Sequence, residues 1–318
     1  FHILLENTRN FANKIWNASR FVLMNLEGYE PVDIDDSELT IADRWIISRL
    51  NMKVEEITGL LERYDLGEAA RALYDFIWDE FCDWYIELAK PRLFNPSSPR
   101  EKLVVQNVLH DVLVDILRIL HPFMPFISEE IYQYLPGHSN TIMLDSWPIK
   151  DDNEVWLESV EQMQQIMSVI RAIRNIRAEF NINPGSKVRV VALMHDKNLT
   201  KIFIKNSSYI EQMAGVDNLS IVETLTEKPR QAVSALTAIA DIYVPLEGVI
   251  DIDKEIARLE KDLKNADSDL SKALGKLSND NFLSRAPQEV IEKERGKAEE
   301  ARNKKEGILQ RLEILSRS

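Results

Sequence analysis

The sequence of 318 residues contains little cysteine, glycine and proline, and each shortage excludes a class of protein. Its one cysteine, Cys82, cannot form an intramolecular disulfide or supply an all-cysteine zinc or iron–sulfur site. This usage is typical of a reducing compartment, so we expect a cytoplasmic protein. The 10 glycines and 12 prolines are too few for a collagen-like or low-complexity chain. Since the chain begins with Phe1 rather than Met, we expect a piece of a longer polypeptide.

The sequence also lacks long hydrophobic runs and recognisable catalytic motifs. Charged residues interrupt every stretch long enough to span a membrane, so we expect no membrane association. It has no glycine-rich phosphate loop, no Walker lysine, no G-x-S-x-G and no histidine and acidic residues at metal-binding spacing. We interpret Cys82, His110 and His121 as structural residues. The sequence therefore predicts a binding and positioning module without catalytic residues, metal ligands or a cofactor of its own.

Basic residues are outnumbered, with 39 Lys and Arg against 52 Asp and Glu, giving a net charge of −13. Such a balance argues against a nucleic-acid partner, which is held by Lys and Arg. The charge is unevenly distributed, however. Residues 162–205 contain eight basic and two acidic residues, and residues 249–318 contain 15 of each. A local basic patch on this chain could still bind a polyanion.

Residues 1–148 have the apolar spacing of amphipathic helices, with hydrophobic residues at intervals of three and four. We expect Thr40 to cap the second helix, and we expect Pro91 to end the third because proline cannot continue a helix. The pattern predicts an antiparallel helical bundle. Its helices are expected at about 11–26, 41–64, 66–91, 100–120 and 127–135.

The pattern changes after residue 148. Residues 149–248 predict a small α+β domain with a helix at about 154–181 and strands at 187–193, 219–223 and 239–246.

Residues 249–318 carry two heptad seams separated by a turn at 278–287. Two helices of similar length joined in this way predict an antiparallel coiled-coil hairpin about 40 Å long. The fold class is thus mainly α, with a bundle, a small α+β domain and a coiled-coil hairpin in that order.

Several long strings resemble one family. Residues 9–21 read RNFANKIWNASRF, residues 79–87 read DEFCDWYIE and residues 120–130 read LHPFMPFISEE. These strings closely resemble the anticodon-binding domain of the valyl-tRNA synthetase family. Residues 171–177, RAIRNIR, and 277–287, LSNDNFLSRAP, are similar to the linking domain and the terminal coiled coil of that family. The resemblance covers nearly the whole chain, but the two ATP-binding signatures and the editing insertion of the family are absent.

The resemblance implies that this chain binds valine-specific tRNA for a longer enzyme. The catalytic and editing domains of the parent chain would then be further partners, and the parent would use ATP and Mg²⁺ to attach valine to tRNA. The chain alone is predicted to be inactive. Candidate anticodon-binding residues are Arg9, Asn13, Trp16, Asn17, Arg20 and Phe21. Candidate contacts to the tRNA body are Arg171, Arg174, Arg177, Lys261, Lys264, Lys272, Lys276, Arg285, Lys293 and Arg295.

Two alternatives stay open at this point. The related leucyl- and isoleucyl-tRNA synthetases share the bundle, although isoleucyl enzymes often end in a cysteine-bound zinc module that one cysteine cannot form. A cytosolic scaffold that pairs with another protein through its heptads is the second alternative. If the two heptad helices pair with each other instead, we expect a monomer. Core positions are also an alternative for Trp16 and Phe21.

Overall fold

The computed structural model describes residues 2–137, 140–279, 282, 284 and 286–316, without the side chains of residues 2–5 and 7. It divides into two compact units, Phe1–Ile166 and Met167–Ser318. The described residues are mainly helical with one small sheet, which confirms the predicted fold class. The finer division into domains 1–148, 149–248 and 249–318 stays a prediction.

The first unit is a helical bundle whose helix ends follow local sequence signals. Thr40 caps the second helix as predicted, because its hydroxyl accepts from the Asp43 amide while the Asp43 carboxylate accepts from the Thr40 amide. Ser98 caps the fifth helix in the same position, just before Pro99. The elements are α1 (His2–Asn25), α2 (Ile41–Glu62), α3 (Leu66–Asp75), a π-helical segment (Phe76–Tyr85), α4 (Ile86–Phe94), α5 (Pro99–Leu120) and α6 (Pro125–Tyr132).

A charged pair lies inside this bundle. Arg92 donates two hydrogen bonds to the Asp43 carboxylate, at 2.7 and 2.6 Å, and the Tyr85 hydroxyl donates a third at 2.7 Å. Burial alone would raise the pKa of Asp43, but the Arg92 charge and these hydrogen bonds outweigh it and hold the pKa below its usual value. The pair joins α2 to α4 through the core.

The expectation that Pro91 ends the third helix is wrong. Helix α4 continues through Pro91 to Phe94, and the Asn95 amide closes the last turn on the Pro91 carbonyl at 2.7 Å. Proline removes one backbone donor, yet Leu88, Ala89 and Leu93 on either side of it are fully buried. The packing of this apolar face, together with the Arg92 pair, outweighs the lost hydrogen bond.

The second unit contains a four-stranded sheet in the order β2-β1-β4-β3, with β1 parallel to β2 and the other pairs antiparallel. Strands β1, β2 and β4 correspond to the three predicted strands. Strand β3 was not predicted, because its short segment has one β-branched residue, Val233, and becomes a strand by pairing with β4. Helix α7 (Leu157–Glu179) begins in the first unit and ends in the second. The elements after it are β1 (Val188–Met194), α8 (Lys197–Lys205), α9 (Ser207–Ala214), β2 (Val216–Val222), β3 (Ala232–Leu236) and β4 (Ala240–Pro245).

Two long helices follow, α10 (Ile252–Leu277) and α11 (Gln288–Ser316), which together we call the arm. Two interhelical ion pairs, Lys276 with Glu294 and Lys305 with Asp267, show that the helices run antiparallel. The buried seam is rich in small residues, and Glu294 lies within it, bonded to Lys276 and Lys297. The predicted helical hairpin is confirmed. Its buried seam comprises Leu259, Ala266, Ala273, Ile291, Glu294, Ala298, Ala301, Ile308 and Leu315.

Candidate nucleic-acid interface

Helix α1 presents one polar face to solvent. Its opposite face is buried and, apart from Ser19, apolar, with Ile15 and Val22 at its centre, so the polar face does not contribute to the core. The exposed residues recur at intervals of three and four, which brings them together along one stripe of the helix. This exposed stripe contains five of the six predicted anticodon-binding residues, namely Arg9, Asn13, Trp16, Asn17 and Arg20.

The two aromatic candidates on α1 have different surroundings. Trp16 is 42% exposed, so the core alternative is wrong for this residue. Phe21 is half-buried on the flank of the helix, where its ring meets Phe94 edge-on with centroids 6.2 Å apart. Lys90 lies 5.7 Å from the centre of the same ring. Phe21 therefore packs α1 against α4, while Trp16 is available for stacking.

A small cleft of about 220 Å³ opens beside this stripe, between α1 and the end of α6. Trp16 and Arg20 form its α1 side, and Tyr134, which follows α6, forms the opposite side. Tyr134 is 66% exposed and was not among the sequence-based candidates. Its position in the turn just beyond a helix was a weak signal, and nothing in the sequence places that turn next to α1.

The arginines of α7 are held in different ways. Arg177 donates to four backbone carbonyls, those of Asn183, Pro184, Ser186 and Gly215, at 2.8–3.3 Å. Gly215 has a positive φ of 66°, and a Cβ there would lie 3.2 Å from the guanidinium. Arg177 thus clamps the loop before β1 to the start of β2.

Arg174 and Arg171 are both exposed. The Nε group of Arg174 donates to the Met213 carbonyl at 2.8 Å, which ties α7 to α9. Arg171 lies one turn before Arg174 on the same helix. A tRNA contact for these three arginines stays a prediction.

The predicted basic residues of the arm point to solvent. Lys272 pairs with Asp269 at 3.5 Å, and Lys276 pairs with Glu294 at 3.3 Å. The other four within the described residues make no ion pair with any described residue. These four are Lys261, Lys264, Lys293 and Arg295. Arg285, at the expected tip of the arm, lies outside the described residues.

The residues that could suggest catalysis have structural surroundings. Burial raises the pKa of the Cys82 thiol to about 12, which keeps it protonated and unreactive. His110 contacts Asp111 Oδ1 through Nδ1 at 2.7 Å and the Pro136 carbonyl through Nε2 at 2.9 Å. His121 contacts the Ser128 hydroxyl at 2.9 Å. Among the described residues no group of three metal-binding side chains is gathered, and no helix has the length and apolarity needed to cross a membrane.

Comparison with known proteins gives two family matches. A model described as the anticodon-binding domain of tRNA ligase matches residues 43–192, and one described as the valyl tRNA synthetase tRNA binding arm matches residues 251–316. A valine–tRNA ligase from Carboxydothermus hydrogenoformans is 46% identical over 312 residues, which cover 98% of this chain. The chain belongs to the valyl-tRNA synthetase family. The second family match and these relatives favour the valyl family over the leucyl and isoleucyl alternatives.

Other members of the valyl-tRNA synthetase family match to a similar extent. Valine–tRNA ligases from Oceanobacillus iheyensis and Listeria innocua are 42% and 43% identical, each over 98% of this chain. The chain spans 35% of the length of these relatives. Helix α1 lies before residue 43 and therefore outside the anticodon-binding match, whereas the arm coincides with the second match.

Proposed function

We propose that this chain is the C-terminal tRNA-binding part of a valine–tRNA ligase. The bundle reads the anticodon, and the arm holds the body of the same tRNA. The ATP- and Mg²⁺-dependent attachment of valine belongs to the catalytic domain of the longer protein, and the editing reaction belongs to its editing domain. The chain acts as a monomer in the cytoplasm, where its tRNA is used.

The exposed stripe on α1 is the observation that carries anticodon reading. Sequence-specific RNA recognition uses unstacked loop bases, which stack on aromatic side chains and form hydrogen bonds with polar ones. The stripe offers Trp16 for stacking, Asn13 and Asn17 for base edges, and Arg9 and Arg20 for phosphates or bases. Glu6 on the same helix pairs with Arg9 at 3.7 Å, whereas Arg20 forms no ion pair with any described residue, so the cation available to an anion lies at the Arg20 end of the stripe.

Two features of the arm support a tRNA-body contact. Its family match is described as a tRNA binding arm, and its unpaired cations lie on the outside of a rigid pair of helices. The same pairing argues against a scaffold that dimerises through its heptads, because α10 and α11 bury their seams against each other.

Titration of the chain with two tRNAs tests the proposal. One is a transcript with a valine anticodon, and the other is the same transcript with that anticodon replaced. We expect tight, salt-dependent binding of the first and weaker binding of the second. Equal affinity for both transcripts would contradict anticodon reading, and the absence of binding would contradict the whole proposal. Elution at twice the mass of one chain would contradict the monomer.

A further inference from the structure

The cleft beside the α1 stripe has the composition of a binding site for one planar ring. Its walls are apolar and aromatic, its mouth carries the cation of Arg20, and no carboxylate lines it. Large ligand sites in proteins usually enclose about 300–1,000 Å³, so a volume of about 220 Å³ suits a smaller group. The cleft can accept one ring, but not a helix or an extended peptide.

Three large side chains are exposed around this one opening. Trp16 is 42% exposed, Met24 is 67% exposed and Tyr134 is 66% exposed. Exposed apolar residues scattered singly need no explanation, but a group of them around a concave surface marks an interaction site. Tryptophan and tyrosine on two sides of a cleft provide the ring faces on which a nucleobase stacks.

Ser19, one of the residues that line the cleft, gives an independent observation. Its side chain is 1% exposed, and among the described residues its hydroxyl oxygen has no hydrogen-bond partner. Buried polar atoms in folded proteins are nearly always paired, so an orphaned one calls for an explanation. A serine hydroxyl can donate or accept, and its hydrogen rotates to suit the group that arrives. A ligand with a polar edge would complete this site.

We propose that the cleft receives one unstacked base of the tRNA anticodon loop, with Trp16 and Tyr134 stacking on the ring and Ser19 bonding its polar edge. This inference rests on the proposed function and adds Ser19 and Tyr134 to the residues that carry it. A nucleobase meets all three requirements of the site, since it has a planar apolar face, a polar edge and an anionic backbone beside it. Arg20, which also lines the cleft, contacts the same nucleotide.

Transcripts with a missing base test the inference. The binding constants of the chain and of Tyr134→Ala and Ser19→Ala are measured for the valine-anticodon transcript and for versions in which each anticodon-loop base in turn is removed. Phe126→Ala is the matched control, because Phe126 lies on α6, is 90% exposed and does not line the cleft.

We expect Tyr134→Ala to weaken binding of the intact transcript roughly 5- to 100-fold, the loss of one base stack. The loss should vanish for the one transcript that lacks the docked base. Ser19→Ala should weaken the same transcript several-fold, Tyr134→Phe should restore most of the affinity because it keeps the ring, and Phe126→Ala should change it less than twofold. Tyr134 is exposed and Ser19 is unpaired, so these variants should fold, which circular dichroism checks.

The outcomes separate the two proposals. If the unchanged chain fails to bind the intact transcript, the proposed function is wrong. If it binds but Tyr134→Ala and Ser19→Ala behave like Phe126→Ala, the cleft does not hold a base. Equal losses for every base-deleted transcript would also overturn the inference, because the cleft would then contact something other than a single base.

Discussion

The bundle and the arm are both helical, but exposure of a side chain has a different meaning in each. In the bundle, helices such as α5 bury more than half of their residues, whereas α1 exposes one polar stripe. In the arm, two helices share one seam, and most of each helix is exposed by geometry alone. A polar side chain therefore argues for a binding role more strongly on α1 than on α10 or α11.

Buried charge shows the same contrast. Asp43 and Arg92 are enclosed by the bundle and bonded to each other on both carboxylate oxygens. Glu294 sits in the narrow seam of the arm, where Lys276 and Lys297 reach it from the solvent side. In the bundle, the hydrogen-bond partners of a buried charge must themselves be buried. In the arm, the partners of a buried charge remain partly exposed to solvent.

The largest effect should come from breaking the bundle pair. Arg92→Leu leaves the Asp43 carboxylate buried without its countercharge and should lower the free energy of unfolding by about 3–5 kcal/mol in a urea titration. The control Arg100→Leu removes a surface pair with Glu38 and should change the free energy of unfolding far less, because water screens that pair.

Acidification sharpens this test. The folded pKa of Asp43 lies below its unfolded value, so its stabilisation is present above about pH 4 and is lost as the pH falls through the folded pKa. The difference in free energy of unfolding between wild type and Arg92→Leu should therefore become smaller in acid. A constant difference from pH 7 to pH 2 would contradict this account of the pair.

The next effect should come from the arm seam. Leu259→Ala removes a fully buried side chain and should destabilise the second unit by about 2–3 kcal/mol, measured by thermal unfolding. Leu274 lies on the same helix but is exposed, so Leu274→Ala should change stability by less than about 0.5 kcal/mol. Equal effects would mean that the two helices do not pair through this seam in solution.

Asn17→Ala and Arg20→Ala should weaken the preference of the chain for a valine-anticodon transcript by about 1–3 kcal/mol. Both side chains lie on the exposed stripe, so stability should not change. Binding constants for the two transcripts of the titration above measure the effect. If affinity falls equally for both transcripts, these residues contact phosphates rather than bases.

Substitution of an arm lysine should weaken tRNA binding without changing the preference between the two transcripts. Lys264→Ala should weaken binding of both transcripts equally and reduce the slope of log affinity against log salt by about 1. Lys254 is a suitable control, since it lies on the same helix, pairs with Asp251 at 2.7 Å and is not among the predicted contacts. An unchanged salt slope for Lys264→Ala would remove this residue from the interface.

The smallest effect concerns His110. Burial would lower its pKa, but the contacts with Asp111 and the Pro136 carbonyl outweigh burial and raise it, while the Arg118 charge opposes them. The folded pKa is thus above the unfolded one, so the stabilisation is present below about pH 6.5 and lost as the pH rises through the folded pKa. Unfolding experiments should show stability falling above pH 6.5 in wild type and a flatter profile in His110→Gln. Parallel profiles would contradict this assignment.

Local signals made much of the fold predictable. The Thr40 cap, the apolar spacing of the bundle helices and the heptads of the arm all act within a few residues, and the structure confirms each. Pro91 and strand β3 were mispredicted for one reason. In both segments, contacts with residues far away in the sequence outweigh the local secondary-structure preference. The local sequence does not show which helix or strand will supply those contacts.

The sequence alone determined the helical class, the arm and the family resemblance, because periodicity and long matching strings need no knowledge of neighbours. Its six anticodon candidates include the five residues of the α1 stripe together with Phe21, which lies off the stripe. Only the tertiary structure decided that Trp16 is exposed while Phe21 packs against Phe94, and that Arg177 holds four carbonyls. Likewise, only the structure placed Tyr134 across from Ser19. These residues are far apart in the chain, and their proximity depends on how α1 and α6 pack, which no local pattern encodes.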